Sequence, residues 1–244
     1  GFTLIDGRNT YGGGVHVYNS VSRPAGWPVI AENVIKDNTA TSVGGGIDVQ
    51  AAPGMLAAPV IEDNSISNNL ASSGGGGVYC GPRSAPRLDG NRLTLNRATA
   101  GSGGGILVGS DARPYIVDCR IVGLNHAVDG GGIACLPSTA VTIDVVRCEL
   151  GTNVADADGG GVVVSTNATV RMQECVMRWN GAGADGGAVA VKGGVAKVWN
   201  ALMYENAAGS NGAAVRVEGG VTDIVNSTIW HNDPGPYAIS RSAG

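Results

Sequence analysis

One short phrase recurs along this chain of 244 residues and dictates its architecture. A small-residue triplet, usually Gly-Gly-Gly, closes at Gly14, Gly46, Gly77, Gly105, Gly132, Gly161, Ala188 and Ala214, at intervals of 32, 31, 28, 27, 29, 27 and 26 residues. Two apolar residues separated by one other follow each triplet: Val15/Val17, Ile47/Val49, Val78/Cys80, Ile106/Val108, Ile133/Cys135, Val162/Val164, Val189/Val191 and Val215/Val217. A fixed period of this size marks a solenoid, in which each repeat buries its apolar face only by stacking on its neighbours.

A second landmark is an aliphatic residue three positions before an asparagine. It reads Ile35/Asn38, Ile66/Asn69, Leu93/Asn96, Leu150/Asn153, Met177/Asn180, Met203/Asn206 and Ile229/Asn232, with one extra residue between Ile121 and Asn125. A further apolar row runs through Ile30, Ile61, Leu88, Ile116, Val145, Met172, Val198 and Ile224. Period-2 alternation in Val- and Ile-rich runs bounded by turn residues predicts strands, and the runs are too short for helices. Three short strands per coil, all wound one way, predict an all-β parallel β-helix of about eight coils stacked ~4.8 Å apart. The whole chain, 1–244, reads as a single β-helix domain. The asparagines should stack into a ladder whose amides bond from coil to coil. Phe2 and Leu4 read as inward residues of an earlier coil, and Tyr237 to Ser240 as the opening strand of a ninth. No capping helix is evident at either end. The domain is therefore expected to be a segment of a longer solenoid or a subunit that stacks end to end.

The Gly-Gly-Ala-Val stretch at 186–189, its Gly-Gly-Gly-Ile/Val variants and the paired Ile/Leu/Met-x-x-Asn motif resemble the repeats of polymorphic outer-membrane protein adhesins. They are also similar to repeats of large bacterial surface proteins of the right-handed, pectate-lyase-like β-helix class. The resemblance covers nearly the whole chain. It implies a right-handed coil, a secreted or cell-surface location and an adhesive or structural role.

Composition narrows the partners. The net charge is −4, only 15% of residues are charged and no basic stripe appears, which argues against nucleic acid. No apolar run is long enough to span a membrane. Cys119, Cys148 and Cys175 share one register, in which Asn33, Asn64 and Asn91 precede them. In-register side chains suit disulfide torsion poorly, so packed thiols are expected. Cys80 and Cys135 share an inward row two coils apart, too far for a bridge.

Three constellations carry possible chemistry. The alternate row of the glycine-following strand reads His16, Asp48, Tyr79, Leu107, Ala134, Val163, Ala190 and Arg216, and is expected to face outward. His16, Asp48 and Tyr79 fall in adjacent coils, with Tyr18 and Gln50 further along the face and Arg23, Arg83 and Arg87 on neighbouring loops. Such a set suits proton transfer on a sugar or cleavage of a glycosidic bond, although only one carboxylate is present. The apolar remainder of the row would be a contact stripe for another segment or chain. The second constellation, Arg178, Trp179, Tyr204, Trp230 and His231, precedes the asparagines of the last three coils. Aromatic rings there suit sugar stacking or anchoring of a partner. The third is Asp129, Asp158 and Asp185, which would hold calcium if their carboxylates converged and otherwise serve as turn residues. No other cofactor is implied.

These readings lead to a non-enzymatic, secreted or cell-surface structural or adhesive β-helix. Its expected partners are a glycan or host-surface molecule and further coils of its own kind, in the limit as fibres. The rival is a polysaccharide-binding or polysaccharide-cleaving enzyme built on His16, Asp48 and Tyr79.

Overall fold

The computed structural model describes residues 1–20, 27–137, 141–233 and 237–242. Among them the strands form four parallel sheets of nine, eight, nine and eight strands, and no helix occurs. Sheet I runs from Thr3–Ile5 to Thr228–Trp230 and carries the aliphatic residue that precedes each asparagine. Sheet II runs from Arg8–Tyr11 to Ala207–Ala208. Sheet III holds the glycine-following strands, from Val15–Asn19 to Ile239–Arg241. Sheet IV runs from Val29–Ala31 to Val221–Val225.

Sheets I, III and IV are the three strands expected per coil. Sheet II is additional. From Leu70–Ala71 onward its strands are two residues long, too short for periodicity to register. They form because the ladder asparagine passes its own carbonyl to the next coil, as where Leu70 N donates to Asn38 O at 2.8 Å.

Registers superpose like on like. Ile47 pairs with Val78, Val78 with Ile106, and the row continues through Ile133, Val162 and Val189 to Val215. Ile35, Ile66, Leu93, Ile121, Leu150, Met177 and Met203 are fully buried in a parallel row. Each such side chain contributes roughly 1.5–3 kcal/mol of transfer free energy, so the stacked rows are the principal source of stability. Ile239 continues the sheet III row by pairing with Val215, as expected for an opening ninth coil. Leu4 packs against the core, but Phe2 does not: it is 79% exposed. Phe2 precedes the strand and lies level with the turn at Asn33, whose Oδ1 accepts from Phe2 N at 2.9 Å.

The glycine triplets answer to two constraints. Gly130 has φ of +62°, the left-handed region that side chains resist. A Cβ on Gly132 would lie 2.6 Å from the carbonyl oxygen of Gly161 in the next coil, so the backbones touch where a side chain would stand.

The asparagine ladder is continuous. Asn153 Nδ2 donates to Ile121 O at 2.8 Å and to Asn180 Oδ1 at 3.0 Å, and Asn180 repeats the pattern onto Asn206 at 2.9 Å. A second ladder runs through Asn33, Asn64 and Asn91, with amide-to-amide distances of 3.1 and 3.0 Å. Cys119, Cys148 and Cys175 prolong it as thiols. Cys148 Sγ lies 3.3 Å from Val146 O, and Cys175 Sγ lies 3.3 Å from Val145 O. All five cysteines are free and buried.

One expectation is overturned. The alternate row of sheet III is not an exposed face: Asp48, Leu107, Ala134, Val163 and Ala190 are buried. Leu107, Ala134, Val163 and Ala190 form a small apolar cluster of their own, flanked by Tyr79 and Leu136. The glycine turn ahead of each strand folds over its outer side, so a Cβ on Gly74 would meet Leu107 Cδ2 at 2.4 Å and one on Gly130 would meet Ala134 Cβ at 2.8 Å. No second segment or chain is needed to cover this stripe.

Candidate functional site

At the first coils the sheet III register sets His16 beside Asp48 and Asp48 beside Tyr79. His16 Nδ1 stands 2.5 Å from Asp48 Oδ2, and Gln50 Nε2 donates to the two carboxylate oxygens at 2.9 and 3.0 Å. Burial pushes the Asp48 carboxyl up to about 6, against the opposing pull of Gln50 and His16. Burial also raises the Tyr79 hydroxyl to about 12, with the Asp48 charge adding to it. Tyr11 and Tyr18 stack on the His16 ring at 6.3 and 5.9 Å. The dyad can pass a proton, but its carboxylate lies behind the imidazole, and among the described residues no second carboxylate is paired with it. Arg83 lies on the adjoining loop, its Nη1 3.5 Å from Ala51 O. Arg87 belongs elsewhere, to Asp89 at 2.6 Å and the face of Tyr115 at 5.2 Å. Arg23 lies outside the described residues.

The second constellation comes together on sheet I. Arg178, Tyr204 and Trp230 lie in register on adjacent strands of its outer face. Trp179, Glu205 and His231 each occupy the next position, all with positive φ near +50°, immediately before the ladder asparagine. That turn carries their side chains out over the edge of the sheet. Trp179 and Tyr204 meet edge-to-face at 6.0 Å, Tyr204 and Trp230 lie 6.5 Å apart, and Trp230 and His231 5.1 Å apart. Trp179 and Trp230 are 47% and 60% exposed. Trp179 Nε1 donates to Glu205, which also faces His231 Nδ1 at 3.7 Å. The Arg178 guanidinium lies 4.2 Å over the Trp179 ring and pairs with Glu149. The strip is thus a file of aromatic rings, one or two per coil, with the Trp179 indole N–H tied to Glu205.

The third constellation is a ladder of carboxylates turned to backbone. Asp129 Oδ1 accepts from Asp158 N at 3.1 Å, Asp158 Oδ1 from Asp185 N at 3.0 Å, and Asp185 Oδ1 from Asn211 N at 2.9 Å. Lys192 Nζ meets Asp158 at 2.6 Å, and Arg216 Nε lies 3.3 Å from Asp185. Backbone amides and two cations therefore occupy this row. Among the described residues no group of three or more acidic, His or Cys side chains is arranged to hold a metal ion.

Reasoning from the sequence missed a fourth feature, next to the aromatic strip. Arg92 and Arg120 stand in register on sheet I, with Glu149 next in the row. Together with Arg178 they rim a shallow depression of about 210 Å³ walled by Trp179. Its signal was present in the residue just before each Ile/Leu-x-x-Asn motif, which is Arg, Arg and Glu in successive coils.

Compared with known proteins, residues 5–243 match a family model described as a right-handed beta helix region. No curated protein and no solved structure matches the chain.

Proposed function

We propose that this chain, which belongs to the right-handed β-helix family, is a non-enzymatic β-helix of the secreted or cell-surface kind that adheres to glycans through the Trp179–Tyr204–Trp230 strip. The observation that carries the reading is the file itself: three large rings at coil spacing, two of them exposed, on strands paired in parallel register. Aromatic faces stack on the apolar faces of sugar rings, and rings held in place in advance lose little entropy on binding. The likeness of the repeats to bacterial surface adhesins supports the same role and location. The test is a glycan array probed with the wild-type protein and with a Trp179→Ala/Trp230→Ala variant. Binding that disappears in the variant at unchanged thermal stability supports the reading. Equal binding by both proteins contradicts it.

Self-association belongs to the same proposal. Val15, Val17, Trp27 and Ile30 line an apolar depression at the first coil, and Val217, Val221, Ile224 and Ile239 line one at the last. Val15, Val17, Ile30, Val217, Ile224 and Ile239 are the terminal members of rows that stacking buries elsewhere, so a second copy set end to end, or further coils of the same chain, would continue them. Rods lengthening with concentration in electron micrographs support end-to-end contact. Rods of constant length over a wide concentration range oppose it.

The His16–Asp48 contact favours a second reading, a polysaccharide-acting enzyme. Tyr79 would remain protonated at neutral pH, so the base of such an enzyme would come from the His16–Asp48 pair. Cleavage of an acidic polysaccharide that is lost in both His16→Ala and Asp48→Ala supports this alternative. Activity unchanged in both removes it.

A further inference from the structure

We infer that the depression rimmed by Arg92, Arg120 and Arg178 binds the anionic substituent, sulfate or carboxylate, of a glycan whose sugar rings lie along the neighbouring aromatic strip. The inference rests on the glycan-binding reading above and adds the ligand's charge.

Charge at this spot is unbalanced. Three arginines line the depression against one carboxylate, which two of them share: Arg120 Nε donates to Glu149 at 2.9 Å, and Arg178 Nε donates to the same carboxylate at 3.0 Å. Arg92 is exposed and has no ion pair among the described residues. Arg92 and Arg120 stand on adjacent strands in register, an arrangement of like charges that costs stability unless an anion sits between them. The chain as a whole is acidic, so this local excess of positive charge is not a by-product of composition.

Shape agrees with charge. Gly151 lies in the outward row of sheet I between Val122 and Arg178, so no side chain fills the row there, and Gly123 adds to the opening. The Arg92 guanidinium has no ion partner among the described residues, while Arg120 and Arg178 reach the same rim from their contacts with Glu149. A guanidinium presents a planar fork of donors that matches two oxygens of a carboxylate or sulfate. Continuity with the strip is direct, because Trp179 walls the depression and carries Arg178 on its ring. From Arg92 to Trp230 the site spans five coil steps, roughly 24 Å along the solenoid axis. That is the scale of a short linear oligosaccharide.

Calorimetric titration of the purified protein with four probes tests this: dextran sulfate fragments, alginate fragments, unmodified dextran fragments and polyphosphate. The variants are Arg92→Gln, which removes a side chain with no internal partner, and Trp230→Ala. The inference expects a sulfated or carboxylated fragment to bind more tightly than neutral dextran and than polyphosphate. Arg92→Gln should weaken that anionic fragment about tenfold, the size of one charge-assisted hydrogen bond, and leave neutral dextran unchanged. Whether dextran sulfate or alginate shows the loss identifies the anion. Polyphosphate binding as tight as the glycans would overturn the inference, since charge alone would then suffice. So would anionic binding that Arg92→Gln leaves intact while Trp230→Ala weakens it, an outcome that keeps the glycan-binding reading. If no probe binds, or Trp230→Ala weakens neither kind of glycan, both fall.

Discussion

His16 Nδ1 and Asp48 Oδ2 are 2.5 Å apart, with the imidazole partly open to solvent and the carboxylate fully enclosed. The pair links the first two coils and makes the stability of that end depend on pH. Asp48 titrates near 6 in the fold against an ordinary value of 3.8, so ionising it costs more in the folded chain than in the unfolded one. Its contribution is therefore complete below about pH 3.8 and is lost as pH rises through 6. The difference amounts to about 3 kcal/mol at 1.36 kcal/mol per pH unit. Asp48→Asn should lie below wild type in stability at pH 4 relative to pH 7. Denaturant midpoints of the two proteins should converge or cross over that window, and parallel midpoints from pH 4 to 7 would contradict the assignment.

The ladder should matter more than its hydrophilic composition suggests. Asn153→Ala deprives Ile121 O and Asn180 Oδ1 of a buried donor and Asn125 Nδ2 of an acceptor. Three hydrogen bonds are lost at ~0.5–1.5 kcal/mol each, while Asn180 Oδ1 keeps the backbone N of residue 153 and Asn125 Nδ2 keeps Leu93 O and Val122 O, so a loss of about 2–4 kcal/mol is expected in thermal unfolding. A change within about 0.5 kcal/mol, the scale of ordinary surface substitutions, would mean that the ladder follows the fold without supporting it.

All five thiols are enclosed, and burial raises the Cys175 thiol to about 11 and pushes Cys80 and Cys135 higher still. A hydrogen bond with Cys148 lowers the Cys119 thiol instead, but a thiol reagent must also reach the sulfur, and with all five enclosed native protein should react with it negligibly. Unfolding in guanidinium should release all five thiols at once. Fewer than that after unfolding without reductant would reveal a disulfide that the coil stacking does not contain.

Calcium should leave the protein unchanged. Lys192 and Arg216 already offset Asp158 and Asp185, and the backbone amides of successive coils occupy one oxygen of each aspartate in the row. The melting temperature should be the same in chelator and in millimolar calcium. A rise of several degrees with calcium would show that the cation displaces Lys192.

Much of the fold was legible in the sequence because every coil repeats it. Triplet spacing, the Ile47 row and the Ile35 row each carry their own register, and register alone sets His16 beside Asp48 and Trp179 one step from Glu205. What escaped depends on three-dimensional cover or on absence. Strand parity assigns Leu107 and Val163 to the outer face, but only the path of the glycine turns shows that this face is closed. The Asn33–Asn64–Asn91 row shares its positions with cysteines, and its role as a second ladder appears only once the amides are seen to bond along it. Sheet II is too short to produce a period. The arginine depression exists because Gly151 and Gly123 supply no side chain, and a gap of that kind has no signature of its own in sequence.

Amide hydrogen exchange with and without a bound glycan tests the central claim most directly. Binding along the strip predicts added protection confined to Val176–Arg178, Leu202–Tyr204 and Thr228–Trp230 and the turns that follow them, extending to Arg92–Thr94 and Arg120–Val122 when the glycan is anionic. Protection centred instead on Val15–Asn19 and Ile47–Ala51 would place the ligand at the His16–Asp48 pair and contradict the account.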